Sequence, residues 1–177
     1  MAEFVILDRD GVINEDSPDY IKSPDEWHPV PGSLEAIALL TQNHVQVFVA
    51  TNQAGIARGK LTQESLEAIH EKMFREVEAA GGKIVDLRYC PHHPSEQCEC
   101  RKPKPGLLRF LADAHDLDLT SGDYVGDSLK DLRAAEAAHC RGILVLTGNG
   151  EETNHLRPHH EPVFENLLAY AQDRIGV

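Results

Sequence analysis

The chain has 177 residues, of which 41% are hydrophobic and 26% charged, a composition typical of a soluble globular protein with one sizeable core. Its net charge of −12 argues against nucleic acid as a partner, because that binding depends on a basic surface. No stretch approaches the roughly 20 apolar residues of a membrane span, and Met1, Ala2 and Glu3 show no basic region or cleavage site. We expect one domain over residues 1–177 that acts as a cytoplasmic monomer.

The first predicted strand, residues 4–7, consists of four apolar residues and suits a strand buried on both faces of a parallel sheet. It ends in Asp8 and Asp10, and Gly11 allows the backbone to turn tightly beside them. Two carboxylates this close are costly unless a cation or a shared proton relieves them. The next segment, residues 14–31, has too many breakers for regular structure, and loops of this length are often functional.

Helices and strands then alternate to the end of the chain. Further strands are predicted at residues 45–50, 84–90, 123–126 and 142–146. Ser33, Thr62, Pro105 and Ser128 mark predicted helix starts, and after a polar tail a last helix carries Phe164, Leu167, Leu168, Ala171 and Ile175. This alternation predicts an α/β fold, a doubly wound (Rossmann-like), mostly parallel sheet flanked by helices.

Polar side chains follow four of the predicted strands and should meet at one edge of the sheet, where such folds bind ligands. They are Asp8 and Asp10 after the first strand, Thr51 and Asn52 after the second, Lys102 beyond the third, and Asp127 and Asp131 beyond the fourth. Together these groups have the chemistry needed for phosphoryl transfer. Each also has a plain structural explanation, and Asp131 in particular has capping-box spacing from Ser128.

In this interpretation Asp8 is a nucleophile that carries an acyl phosphate, and Asp10 donates and later takes up the proton. Mg²⁺ would bind Asp8, Asp127 and a backbone carbonyl near Asp10, because it prefers oxygen ligands. The Thr51 hydroxyl and Lys102 would hold the phosphate oxygens. Lys104 is a rival for the role of Lys102.

Three cysteines crowd one loop. Cys90 and His92 precede Cys98 and Cys100 by a short spacer, a set of three sulfur ligands and one imidazole typical of closed structural zinc. His93 could replace His92, or the cysteines could be inert. Cys140 lies apart and is expected to be buried, while His155, His159 and His160 are expected to be solvated.

These motifs resemble those of the haloacid dehalogenase superfamily of phosphohydrolases over essentially the whole chain. The resemblance implies the same roles for Asp8, Asp10, Thr51, Lys102 and Asp127, and a central first strand. Many members of this superfamily carry a separate cap domain. Chain length independently indicates none here, because scaffold elements already fill the intervals from Asp10 to Thr51 and from Thr51 to Lys102.

One subfamily, the phosphatases that act at the 7-phosphate of D-glycero-D-manno-heptose 1,7-bisphosphate, shares the segments 8–11, 51–59, 90–94 and 98–103. This resemblance implies Mg²⁺ and zinc as cofactors, a small sugar phosphate as substrate, and a role in heptose precursor biosynthesis for lipopolysaccharide or related glycans. Its implied substrate-binding residues are Asp16, Ser17, Tyr20, Asn52, Gln53, Arg58 and Arg101. Ser128 departs from a lysine that contacts substrate in some relatives.

Two alternatives remain at the level of the sequence. Histidinol-phosphate phosphatases share the zinc loop, although the segment from Gly55 to Gly59 resembles the heptose enzymes. A non-catalytic, zinc-stabilised phosphosugar-binding protein would also fit, but pure binding gains little from a nucleophile such as Asp8 beside a proton donor.

Overall fold

The computed structural model describes residues 3–157 and 160–177, so the predicted start at Met1 and Ala2 and the predicted solvated His159 lie outside the described residues. In chain order the elements are β1 (Phe4–Leu7), α1 (Ser33–Gln42), β2 (Gln46–Asn52), α2 (Gln63–Ala79), β3 (Ile84–Cys90), α3 (Gly106–His115), β4 (Asp123–Gly126), α4 (Leu129–Ala137), β5 (Arg141–Val145), α5 (Gly150–Leu156), β6 (Val163–Phe164) and α6 (Leu167–Ile175). Short 3-10 helices cover Pro24–Glu26, Pro94–Glu96 and Leu119–Ser121.

The described strands form one parallel sheet in the order β3-β2-β1-β4-β5-β6. This topology confirms the predicted doubly wound α/β fold and the central position of β1, which pairs with β2 on one side and β4 on the other. The carboxyl ends of β1, β2 and β4 therefore lie side by side at one edge of the sheet, and the loop after β3 joins them there.

Helices cover both faces of β1, which explains why its four residues are all apolar. Val5 and Leu7 belong to a core formed with α1, α2 and α6, whereas Phe4 and Ile6 belong to a core formed with α3 and α4. All four side chains are at most 1% exposed. Burying each of them contributes about 1.5–3 kcal/mol of transfer free energy, so the strand that carries the two acids is rigidly held.

The loop after β1 is anchored although it lacks long regular elements. Its Trp27 side chain is completely buried, and Lys72 of α2 donates hydrogen bonds to the carbonyl oxygens of Pro24 (2.8 Å) and Trp27 (2.9 Å). The prediction that Ser33 caps α1 is wrong, because Gly32 takes the N-cap position with a φ of 86°. The Ser33 hydroxyl instead donates a 2.6 Å hydrogen bond to the Ile13 carbonyl oxygen and ties the loop down.

The C-terminal region is more regular than the sequence predicts. The polar tail contains α5, whose buried residues are only Gly150 and Thr153, so it lacks the apolar periodicity that would have revealed it. Phe164, predicted on the last helix, lies in the two-residue strand β6, which is too short to recognise from a pattern. None of the helices in the described part of the chain is long and apolar enough to cross a membrane.

Candidate active site

Asp8 follows the last residue of β1 and is 7% exposed. Its Oδ1 atom accepts hydrogen bonds from the Arg9 backbone N–H (2.8 Å) and from Lys102 Nζ (2.9 Å), whereas Oδ2 accepts none from the described residues. Burial raises the pKa of Asp8 well above its usual value, and the charge of Asp131 raises it further against the opposing charge of Lys102. One oxygen of this carboxylate is therefore held while the other is available.

Lys102 is the cation of the site. Its side chain is 3% exposed, and its ammonium group donates to Asp8 Oδ1, to Asp131 Oδ1 (2.7 Å) and to the Tyr124 hydroxyl (2.6 Å). Its pKa is raised because these carboxylates outweigh the effect of burial. The rival Lys104 pairs with Glu99 at 3.1 Å instead.

Asp10 also lines the cleft, and both of its oxygens are engaged. Oδ1 accepts from Arg9 Nε (3.0 Å), Arg9 Nη2 (2.7 Å) and Asn14 Nδ2 (3.0 Å), while Oδ2 accepts from Gln53 Nε2 (2.9 Å). Burial alone would raise the pKa of Asp10, but the Arg9 charge and these hydrogen bonds lower it. The carboxylate is thus ionised at neutral pH in the free protein.

Asp127 lies at the end of β4, with Oδ2 accepting from the Asn149 backbone N–H (2.8 Å) and Asn149 Nδ2 (3.3 Å). Burial and the nearby charge of Asp131 raise its pKa to about 7. Gly11 and Gly148 both have positive φ values, 86° and 57°, and a Cβ atom at either would overlap Asp127 Oδ2. Two glycines from different loops therefore leave the space that this carboxylate occupies.

The acidic side chains fit a divalent cation. Oxygen atoms of Asp8, Asp127 and Asp131 lie within 4.8 Å of one another, and oxygen is the ligand that Mg²⁺ prefers. Asp131 is already engaged, since its Oδ1 accepts from Lys102 and its Oδ2 accepts from the backbone N–H groups of Asp127 and Ser128 (both 3.1 Å). Asp8 and Asp127 are the side chains best placed to bind the ion, whose charge would favour their ionised forms.

The cysteine loop brings its predicted ligand atoms together. Cys90 Sγ lies 3.6 Å from Cys98 Sγ, 3.0 Å from Cys100 Sγ and 3.4 Å from His92 Nδ1, and the cysteines are not disulfide-bonded. A tetrahedral ion with Zn–S bonds of about 2.3 Å would separate the sulfur atoms by about 3.8 Å, so the set fits zinc after opening slightly. His93, the rival ligand, bonds to Ser95 instead.

The cysteine loop and the acidic cleft are directly connected. Cys100 is followed by Arg101 and Lys102, and Lys102 is clamped to the end of β2 by Asn52. The Lys102 backbone N–H donates to Asn52 Oδ1 (3.0 Å), and Asn52 Nδ2 donates to the Lys102 carbonyl oxygen (3.2 Å). This two-bond clamp, together with the cysteine cluster, fixes the stretch that delivers Lys102 to Asp8.

An open cleft of about 280 Å³ lies over Asp8, Lys102 and Asp127. The predicted residues that line it are Asp8, Asp10, Asp16, Ser17, Tyr20, Thr51, Asn52, Arg101, Lys102 and Asp127. Two predicted substrate-binding residues do not line it. Arg58 is exposed on the segment before α2, and Gln53 is 2% exposed and bonds to Asp10 and Thr51 from beneath the cleft.

Sequence reasoning missed several side chains that support the site. Asn149 was hidden in the polar tail, yet it lines the cleft and bonds Asp127 and Asp16 Oδ2 (3.2 Å). Tyr124, read only as part of a strand, contacts Lys102. Arg9, completely buried between the two acids, could have been noticed because a charge seldom occupies the boundary of a buried strand without a partner.

The remaining sequence expectations concern residues away from the cleft. Cys140 is buried as expected, at 6% exposed, and burial raises the pKa of its thiol to about 12. His155 and His160 are exposed, as predicted, and belong to neither of the candidate metal clusters found among the described residues.

Comparisons with known proteins bear on the family and the fold of the chain. A family model described as HAD-hydrolase-like matches residues 99–169. A D-glycero-beta-D-manno-heptose-1,7-bisphosphate 7-phosphatase from Bordetella bronchiseptica is 49% identical over 172 residues, which cover 96% of each chain. A relative of the same name from Pseudomonas aeruginosa is 49% identical over 94% of each chain. The crystal structure of D,D-heptose 1,7-bisphosphate phosphatase from B. bronchiseptica, complexed with magnesium and phosphate, has a TM-score of 0.96 at 48% identity over 98% of each chain.

Proposed function

The chain belongs to the heptose-bisphosphate phosphatases of the HAD-like hydrolases, and from this membership we propose that it removes the 7-phosphate of D-glycero-β-D-manno-heptose 1,7-bisphosphate. It is a phosphoric monoester hydrolase. The observation that carries the proposal is the convergence on Asp8, where Lys102 holds one oxygen, the other is available and Asp127 lies beside it.

In the first step, Asp8 Oδ2 attacks the phosphorus atom of the 7-phosphate, the phosphorus–oxygen ester bond breaks and Asp10 protonates the departing sugar oxygen. In the second step, water attacks the phosphorus atom of the aspartyl phosphate and gives a proton to Asp10. The bond between phosphorus and Asp8 breaks, which releases inorganic phosphate and restores the Asp8 carboxylate. Mg²⁺ held by Asp8 and Asp127 would supply positive charge that stabilises the phosphoryl group. Lys102 and the Thr51 hydroxyl hold the same oxygens from the protein side.

The ionised state of Asp10 in the free protein shapes this sequence of proton transfers. A carboxylate is the form needed to accept a proton from water in the second step. For the first step the proton must arrive with the substrate, and a phosphate monoester can bring it because its second pKa is about 6.

Arg101 supports selection of a phosphorylated sugar. It lines the cleft, and its Nη1 atom is buried without a hydrogen-bond partner among the described residues. An unsatisfied buried donor costs about 1–3 kcal/mol. A ligand oxygen that accepts from Arg101 Nη1 would remove this cost. We assign it to the sugar phosphate, with Asp16, Ser17, Tyr20 and Asn52 completing the walls of the cleft.

Zinc on Cys90, His92, Cys98 and Cys100 has a structural part in this proposal. Four protein ligands leave no position open for catalysis, so the ion orders the stretch that carries Arg101 and Lys102. We also propose a cytoplasmic location and a monomeric state; every group in the mechanism comes from one chain, so the reaction itself needs no partner subunit.

The central test is hydrolysis of the two heptose 1,7-bisphosphate anomers and of histidinol phosphate, each with Mg²⁺ added or chelated. We expect Mg²⁺-dependent release of one phosphate with preference for the β anomer. Asp8→Asn should abolish turnover with an unchanged circular dichroism spectrum, and Lys104→Met, away from Asp8, serves as the control. Preference for histidinol phosphate, or substantial turnover by Asp8→Asn, would refute the substrate or the mechanism respectively.

A further inference from the structure

A fully buried arginine separates the two catalytic acids in the sequence. Arg9 is 0% exposed, and its Nε and Nη2 atoms both donate to Asp10 Oδ1, at 3.0 and 2.7 Å. With the third bond from Asn14, this oxygen accepts three donors, whereas Oδ2 accepts only the bond from Gln53. Oδ2 therefore has the remaining capacity to carry a proton.

The third nitrogen of the guanidinium reaches a different element. Arg9 Nη1 lies 3.0 Å from Nε2 of His70, which is on α2 and 6% exposed. A guanidinium only donates, so His70 Nε2 must accept and the ring must be neutral with its proton on Nδ1. Burial and the Arg9 charge lower the pKa of His70 to about 3, in agreement with this geometry.

A neutral acceptor is the appropriate partner at this position. A carboxylate in place of His70 would compete with Asp10 for the guanidinium, and a protonated side chain would repel it. An apolar side chain would leave Arg9 Nη1 buried without a partner and free the guanidinium to shift. The imidazole satisfies the donor and leaves the positive charge of Arg9 directed at Asp10.

We propose that His70 is a positioning residue for the proposed phosphatase reaction, on which this inference rests. By accepting from Arg9 Nη1 it holds the guanidinium against Asp10 Oδ1, which leaves Asp10 Oδ2 as the oxygen that transfers the proton. His70 touches neither substrate nor reacting atoms. The position of α2 is thereby communicated to the general acid through two hydrogen-bonded contacts.

Two esters with different leaving groups separate this role from simple packing. The alkoxide of heptose bisphosphate needs a proton to depart, whereas the phenolate of p-nitrophenyl phosphate does not. The ratio kcat/KM includes only the steps through departure of the leaving group, so it reports the acid role of Asp10 without its later role as base. Disturbing Asp10 should therefore lower kcat/KM for the sugar ester selectively.

The variants are His70→Leu, which removes the acceptor, and His70→Gln, whose amide oxygen has a similar reach. We expect His70→Leu to lower kcat/KM for heptose bisphosphate by at least about tenfold, as part of the contribution of general acid catalysis, and for p-nitrophenyl phosphate by less than about threefold. His70→Gln should restore most of the lost activity. His70→Met replaces the leucine variant if that protein does not fold.

Met73→Ala is the matched control, because it removes a completely buried side chain one turn further along the same helix. It should change both kcat/KM values by the same factor. Equal losses on both esters in His70→Leu, or no rescue by His70→Gln, would overturn the positioning role while leaving the proposed function intact. A wild-type protein that hydrolyses neither ester would overturn both.

Discussion

The buried, neutral state of His70 predicts how stability depends on pH. The pKa of His70 is lowered to about 3 in the native protein from an ordinary value of 6.5. Between these values the unfolded chain binds a proton at His70 that the native state excludes, so stability is lost as the pH falls. From about pH 7 to about pH 5, His70 alone should lower the free energy of unfolding by roughly 2 kcal/mol, approaching about 5 kcal/mol below pH 3.

Urea titrations of wild type and His70→Gln at several pH values would measure this effect. Trp27, the single tryptophan, is completely buried and provides the fluorescence signal. Asp127 contributes to the pH dependence of stability with the opposite sign. Its raised pKa means that the native state binds more protons than the unfolded chain as the pH falls, which stabilises the native state. That contribution is common to both proteins and cancels in their difference.

The informative quantity is therefore the stability of wild type minus that of His70→Gln. It should fall by roughly 2 kcal/mol between about pH 7 and about pH 5. A difference that stays constant within about 0.5 kcal/mol, near the precision of such titrations, would refute the conclusion that His70 is held neutral against Arg9.

Three further predictions concern the groups that support the site. Tyr124→Phe removes the hydroxyl beside Lys102 and should lower the free energy of unfolding by about 1–2 kcal/mol in urea titrations; an unchanged value would mean that the hydroxyl adds nothing to the lysine's network. Cys100→Ala should purify with little zinc by elemental analysis and unfold at a lower temperature, and full zinc content would contradict the four-ligand cluster. Asn149→Ala removes a donor to Asp127 and should weaken Mg²⁺ activation roughly tenfold, which fails if the half-saturating Mg²⁺ concentration is unchanged.

The strand-end acids could be predicted because their signal is local. Four apolar residues followed by Asp8 and Asp10 specify both a buried strand and where its polar end must lie. The same holds for the cysteine loop, where ligand types and spacing are read directly from the sequence. These features depend on a few adjacent residues and on one rule about parallel sheets.

The supporting contacts could not be predicted in the same way, because each joins distant parts of the chain. Arg9 and His70 are 61 residues apart, and nothing local distinguishes His70 from the apolar residues on the same face of α2. Asn149 reaches Asp127 only because the backbone turns at Gly148, ahead of a helix without apolar periodicity. Ser33 has the residue type of a cap but is used to hold the loop.

The clamp between Asn52 and Lys102 has a consequence for ligand exchange. The cysteine cluster and Lys102, the proposed phosphate ligand, share one short backbone segment. If bound zinc favours the placement of Lys102 and so strengthens phosphate binding, bound phosphate must strengthen zinc binding by the same free energy. Bound inorganic phosphate should then raise the affinity for zinc, as measured by equilibrium competition with a chelator, and removing zinc should weaken phosphate binding by the same factor. A ligand in the cleft would in this way help to retain zinc at the cysteine cluster.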